Sequence, residues 1–305
     1  MTHLAPVLVG VDGSGAGSAA IRFAAHEAQR LGTSIRLVHM VPDYVPMTPM
    51  LPLAPADLEA AGREILRDAT TEAHKWLEPA KVTTALHHGP RVPTLLDLAE
   101  HARLVVLGTQ RRPLLERLLT GSTLFGVASR ATSPVVAVPR DWTPTGEHHR
   151  ILVGLKSTDH SAELVRRALE IAAERSAAVV LVHAWELPNQ YDDLVTARVD
   201  QDEWANRARR AIDRSLASLR EAYPKVPVEI RVVHGQPARV LQVESGEADL
   251  LILARRHSGF PFGHLGGTGR ALLHEARCPV EVVPPADEPT DTSDLVLEQA
   301  GGLQK

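Results

Sequence analysis

Val7-Leu8-Val9-Gly10-Val11-Asp12-Gly13-Ser14 decides the fold, because it returns as Ile151-Leu152-Val153-Gly154-Leu155-Lys156-Ser157-Thr158. Setting Gly10 on Gly154 gives an offset of 144 residues, and the same offset carries Leu37-Val38-His39 onto Leu181-Val182-His183 without a gap. Each stretch is an apolar run that breaks into turn-forming residues, the pattern of a strand buried on both faces before a tight turn. A period near half of 305 residues marks a duplicated domain, since solenoid repeats run to roughly 20–50 residues.

Outward from Asp12, Ile21, Ala24, Ala25, Ala28 and Leu31 recur at helical spacing up to Gly32, so strand, turn and helix follow in order. Ile35–Met40 is the second predicted strand. A stretch with Pro42, Pro46, Pro49, Pro52 and Pro55 is too broken for regular structure. A helix over about 57–77, a strand at Val82–Leu86, a helix at Thr94–Ala102 and a strand at Leu104–Leu107 complete the alternation that builds a parallel sheet. The second half repeats the order, with one helix carrying Trp204, Ala208, Ile212, Ser215 and Leu219. Val228-Glu229-Ile230-Arg231-Val232 alternates apolar with charged residues and reads as an edge strand. Val135–Val138 and Val280–Val283 each follow a proline, and Glu281 makes the latter two-faced, so the fifth strands also read as edges.

The expected fold is therefore α/β: two tandem doubly wound, Rossmann-like domains, each a five-stranded, mainly parallel sheet of order 3-2-1-4-5. The ligand crevice of such a sheet lies at the switch point between strands one and four. The expected boundaries are residues 1–140, a linker at 141–149, a second domain at 150–286 and a loose tail at 287–305. The apolar fifth strands are expected to pair edge to edge within the chain, giving an internal pseudo-two-fold. A homodimer formed through the same edges is the alternative.

Composition narrows the function classes. Hydrophobic content of 44%, charged content of 23% and a net charge of −4 describe an ordinary globular chain. They give no basic face for nucleic acid, and no apolar run approaches the roughly 18 residues of a membrane span. The first residues lack a secretory pattern and Cys278 stands alone, so the expected location is the cytoplasm. Arg111-Arg112, Arg166-Arg167, Arg209-Arg210 and Arg255-Arg256 read as solvated charges. None of the 15 histidines has metal spacing such as H-E-x-x-H, and Cys278 reads as a small buried residue.

After the fourth strand comes Leu107-Gly108-Thr109-Gln110-Arg111, and ten positions beyond Arg111 stands Gly121-Ser122-Thr123. With Val11-Asp12-Gly13-Ser14 after the first strand, this pattern resembles the universal stress protein family, whose nucleotide-binding members carry G-x2-G-x9-G-S/T and V-D-G-S at these places. The resemblance covers about residues 7–139 and 151–284, a tandem member. It implies that Asp12 and the backbone of Met40 face adenine, Gly108 and Gly121 ribose, and Ser122 and Thr123 phosphates. The implied cofactor is ATP or AMP, with any Mg2+ carried by the nucleotide.

Arg111 stands where the family has its second glycine. Its guanidinium either neutralises phosphate or lies across the cradle and blocks it, and the sequence leaves both readings open. The second half departs further: Lys156 replaces Asp12, Ala254 replaces Gly108, His257 stands at Arg111 and Gly267 at Ser122. A nucleotide site is therefore expected in the first half alone, with Lys156, Arg255, Arg256 and His257 making the second crevice positive. The expected function is a stress-response regulator that binds an adenine nucleotide and a protein partner the sequence does not name, with little or no catalysis. Asp12 is the lone acid in the motif segments, where hydrolysis would need carboxylates to hold a cation. A nucleotide-free interaction protein and a slow ATPase are the alternatives. A Walker A loop is absent, and S-G-G-x-D-S, the mark of ATP-pyrophosphate enzymes, is only loosely approached. Asp12 also suits an Asx-turn, Gly13, Ser14 and Ser18 a turn and helix cap, and His39 and His183 a structural role in strand two.

Overall fold

The computed structural model describes residues 4–42, 55–109, 123–144, 148–156, 162–186, 201–255 and 265–285. Most of the Pro-rich stretch, Arg111, Gly121, Ser122, Arg256, His257 and the tail lie outside them.

In the first half β1 (Val7–Gly10), α1 (Gly15–Arg30), β2 (Ile35–Val41), α2 (Pro55–Ala73), β3 (Val82–His88), α3 (Arg91–Ala99), β4 (Leu104–Thr109), α4 (Thr123–Ala128) and β5 (Val135–Pro139) follow in order. The second half contributes β6 (Arg150–Leu155), α5 (Ala162–Arg175), β7 (Ala178–Trp185), α6 (Gln201–Ser215), α7 (Ala217–Ala222), β8 (Val228–His234), α8 (Pro237–Glu244), β9 (Leu250–Ala254), α9 (Gly267–Glu275) and β10 (Val280–Val283). Three expected helices differ. α3 begins at Arg91 and ends at Ala99, three residues earlier at both ends than the expected Thr94–Ala102. α2 closes at Ala73, where the N–H groups of Trp76 and Leu77 both donate to the Ala73 carbonyl. The long helix of the second half breaks at Leu216, beside a Ser215 hydroxyl that donates back to Ile212 O at 2.7 Å and competes with the helix ladder.

The strands form one ten-stranded sheet of order β3-β2-β1-β4-β5-β10-β9-β6-β7-β8. Each half is parallel and runs 3-2-1-4-5 from its outer edge. The halves meet antiparallel, with Val280 opposite Ala137, Glu281 opposite Val136 and Val282 opposite Val135. The fifth-strand edges thus cover each other, and β3 and β8 are the outer edges. Alternating side chains feed two cores: Val7 and Val9 lie with the apolar stripes of α1, α2 and α5, whereas Leu8 and Val38 lie with α3, α4, α8 and α9. Burial of these stripes on both faces is the main driving force for the three-layer arrangement.

The two-faced reading of β10 needs correction. Glu281 does not face solvent: it is 2% exposed, and Arg167 Nε on α5 donates to it at 2.9 Å. Arg167 is accordingly half-buried and paired rather than solvated. At the corresponding places the first half has Phe23 and Val136, both in its core. Among the described residues no helix is long and apolar enough to cross a membrane.

Candidate functional site

The crevice of the first half opens where β1 and β4 end. Gly13 adopts φ +75°, a conformation that favours glycine, and Asp12 Oδ1 accepts the Ser14 N–H at 3.0 Å, closing an Asx-turn. Ser14 caps α1 without a side-chain bond. The turn leaves Asp12 exposed with its second carboxylate oxygen unused among the described residues. His39 Nδ1 donates to Val11 O at 2.8 Å, and His183 Nδ1 to Leu155 O at 3.1 Å. These matched histidines tie the second strand of each half to the exit of its first, the structural role expected of them.

Met40 is placed by strand alternation. Val38 O accepts from Val11 N on the β1 side, while Val41 O accepts from Gly89 N on the β3 side. The N–H and C=O of Met40 therefore face the β1 side, one step past the last β1 pair, Gly10 with Val38. Asp12 and this backbone edge lie side by side past the end of the β1–β2 ladder, at the switch point of the sheet. Gly108 completes it, for a reason the sequence did not disclose: a Cβ there would lie 2.4 Å from the carbonyl oxygen of Ala16, so α1 approaches β4 at backbone distance. Thr123 opens α4. Arg111, Gly121 and Ser122 lie outside the described residues.

Sequence reasoning missed Arg140. It follows β5 and lays its guanidinium against Gly15 at the start of α1, where a Cβ would be 3.0 Å from Nη2. No carboxylate pairs with it among the described residues, and nothing about an arginine after a strand signals that placement. Among the same residues no group of three or more His, Cys, Asp or Glu side chains is placed to hold a metal.

The second crevice is built differently. Lys156 follows β6 without an acidic partner among the described residues, and Ala254 is exposed rather than pressed against a helix. Arg255 does not make the crevice positive as expected, because its Nη1 donates to Ala131 O of the first half at 2.7 Å. Stacked aromatics cover the outer strands: Trp185 and Trp204 have ring centroids 4.7 Å apart, and His234 lies 4.6 Å from Trp185.

Charges concentrate at the junction. Glu27 on α1 is buried and takes Arg30 at 2.6 Å and Arg175 of the other half, while Arg30 also pairs with Glu174. Burial would raise the Glu27 carboxyl, but Arg175 and Arg30 outweigh it and hold its pKa below the usual value. Burial likewise opposes the charge of Arg167, and Glu281 overcomes it. Beside this network lies a cleft of about 390 Å3, lined by His26, Trp142, Arg175, Asp249 and Arg277 among others. Burial lowers the pKa of His26. Cys278 at its floor is pushed up to about 12 by burial, so it stays a protonated thiol.

Comparison with known proteins identifies the architecture. A model of the universal stress protein family matches residues 4–139 and 147–284. Universal stress protein Rv2005c of Mycobacterium tuberculosis is 32% identical over 291 residues, 90% of this chain and 96% of that protein. Universal stress protein Rv2623 of the same organism is 30% identical over 285 residues, 90% and 95% of the two chains. A universal stress protein from Archaeoglobus fulgidus has the same fold, with a TM-score of 0.71 at 14% identity over 93% of this chain and 98% of that one. Two shorter universal stress proteins, each matching 44% of this chain, are solved in complexes with cAMP (24% identity, TM-score 0.36) and dAMP (18%, 0.30). Two family matches in one chain, joined by a sheet that runs through both, make this protein a tandem member of the universal stress protein family.

Proposed function

We propose that the first half binds an adenine nucleotide, ATP or AMP, and that the protein acts as a regulator whose bound state changes its contacts with a partner. The observation that carries this reading is the pair of free hydrogen-bonding edges at the switch point. Among the described residues Asp12 keeps one carboxylate oxygen unused, and Met40 turns a backbone donor and acceptor past the end of β1. Adenine presents a donor and an acceptor side by side on one edge, which such a backbone pair satisfies without a charged side chain. The family motif assigns Gly108 and Gly121 to ribose and Ser122 and Thr123 to phosphates. Arg111, at the motif's second glycine position, is the candidate phosphate partner, and Mg2+ arrives with the nucleotide. Asp12 is the single acid in these segments, which supports little or no turnover.

A nucleotide-free interaction protein is favoured by one observation: the Ala16 carbonyl accounts for Gly108 through packing alone. The two readings part on the small molecules released when protein purified without added nucleotide is denatured. Mass spectrometry is expected to find an adenine nucleotide, and titration of the stripped protein with ATP to restore it. Protein that releases none and takes up none overturns the nucleotide reading.

A further inference from the structure

We propose that the cleft of about 390 Å3 between the two halves is a binding site for a small aromatic carboxylate. It is separate from the nucleotide crevice, which opens where β1 and β4 end. The cleft lies instead against α1, the last residue of α5, the segment after β5 and the residues that precede β9 and β10. The inference stands without the nucleotide reading.

Its aromatic wall is held in place from both sides of Trp142. The N–H of Trp142 donates to Pro139 O at 3.0 Å, and its carbonyl accepts Nη2 of Arg22 on α1 at 3.1 Å. So anchored, the indole meets Phe23 edge to face with ring centroids 5.2 Å apart, and it stands 6.1 Å from the ring of His26. Burial lowers the pKa of His26, so at neutral pH this ring adds aromatic surface rather than charge. The buried Cys278 and Pro279 bring apolar surface from the second half. A mixed cleft of this volume at a junction of two domains is the usual setting of a small-ligand site. Across the pseudo-two-fold Arg167 stands where α1 has Phe23, and Glu281 engages it, so such a site is expected once per chain.

The hydrogen bonds still open in the cleft decide the charge of the ligand. Glu27, Asp141 and Asp249 face Arg30, Arg175 and Arg277 there. Glu27 gives Oε1 to Arg175 and Oε2 to Arg30, and Arg30 also holds Glu174. Asp249 accepts the His148 N–H on Oδ1 at 3.3 Å and the Arg150 N–H on Oδ2 at 3.0 Å. Two of the three acids are therefore engaged through both oxygens. Arg277 is exposed, and among the described residues its guanidinium has no carboxylate partner. Its root is fixed, because its backbone N–H donates to Ser245 Oγ at 3.0 Å. The indole N–H of Trp142 is also without a partner among the described residues. Donors are thus left over beside an aromatic wall. A carboxylate meets the planar fork of an arginine with two parallel hydrogen bonds, and a flat ring packs on the indole.

The test follows the NMR signals of the full chain during titration with benzoate and indole-3-acetate. Tryptamine, which carries the same indole ring on a cation, is the control. Indole-3-acetate is expected to bind at about millimolar concentration, the affinity of an unoptimised ligand of its size. The indole N–H signal of Trp142 should shift while those of Trp185 and Trp204 stay in place, and tryptamine should leave all three unmoved. Arg277→Gln, a change at an exposed position, is expected to weaken indole-3-acetate by at least about tenfold, the loss of a charge-assisted hydrogen bond, and to leave ATP affinity as in the parent. Three results overturn the proposal: no shift at Trp142 with either acid, tryptamine binding as well as indole-3-acetate, or an Arg277→Gln variant that binds the acid unchanged. A loss of ATP affinity in that variant contradicts the separation of the two sites and overturns it as well. None of these results bears on whether the first crevice takes a nucleotide.

Discussion

At the end of β1 the chain turns through Asp12 and Gly13, and α1 presses its Ala16 carbonyl so close to β4 that Gly108 has no room for a side chain. At the end of β6 Lys156 takes the acidic position, Ala254 is exposed, and Arg255 turns away toward the other half. The sheet order is the same on both sides, so the difference lies in the loops that leave the strands. Duplication preserved the buried ladder, where every residue has fixed neighbours, and freed the strand exits, where function is held. A second divergence sits on the pseudo-two-fold itself, where the first half has Phe23 and Val136 and the second the ion pair of Arg167 and Glu281.

Breaking that second contrast has the largest expected effect. Glu281→Ala leaves the half-buried Arg167 without its hydrogen-bonded counter-charge and is expected to lower stability in urea unfolding by about 3 kcal/mol, the low end of the cost of breaking a buried pair. Rebuilding the apolar arrangement of the first half, with Arg167→Leu and Glu281→Val together, is expected to return stability to within about 1 kcal/mol of the parent or above it. A double variant no better than the single one would show that the pair specifies the junction rather than merely satisfying itself.

The crevices are compared by exchanging their small residues. Gly108→Ala drives a methyl into the Ala16 carbonyl and is expected to cost about 1–3 kcal/mol, as other overpacking changes do. Ala254→Gly at the matching exposed site should cost under about 1 kcal/mol, the backbone-entropy penalty. Equal costs at the two sites would mean that α1 yields and that Gly108 is not required by packing.

A smaller effect separates the faces of the junction by pH. Burial holds His26 below its ordinary 6.5, so between that value and its folded pKa the unfolded chain binds the proton and the native state does not. Stability from this group is full above about pH 6.5 and is lost as the pH falls. Glu27 is depressed below 4.5, so its contribution is present above that value and is lost at still lower pH, as the folded carboxyl titrates. Denaturation midpoints should therefore decline from pH 7 to pH 5, and His26→Gln should flatten that step. A midpoint that rises over the same interval contradicts the assignment.

The strands were legible because a doubly buried strand writes itself as an unbroken apolar run, and both Val7–Val11 and Ile151–Leu155 do. The pairing of β5 with β10 followed from apolar edges that needed a cover. What stayed hidden depended on contacts far apart in the chain. Glu281 read as exposed because a carboxylate in a strand usually is, and its partner Arg167 stands 114 residues away on a helix. Arg255 looked like one charge in a basic loop until its reach to Ala131 was visible. Of the candidate site, the Asx-turn at Asp12 was legible in the sequence, whereas the packing role of Gly108 required the path of α1.

The unequal crevices are tested most directly by calorimetric titration of nucleotide-free protein with ATP. The account predicts one site per chain, abolished by Gly121→Asp, which places a carboxylate among the residues assigned to ribose and phosphate while leaving the fold intact. Two equal sites per chain, or a single site that survives Gly121→Asp unchanged, would contradict it.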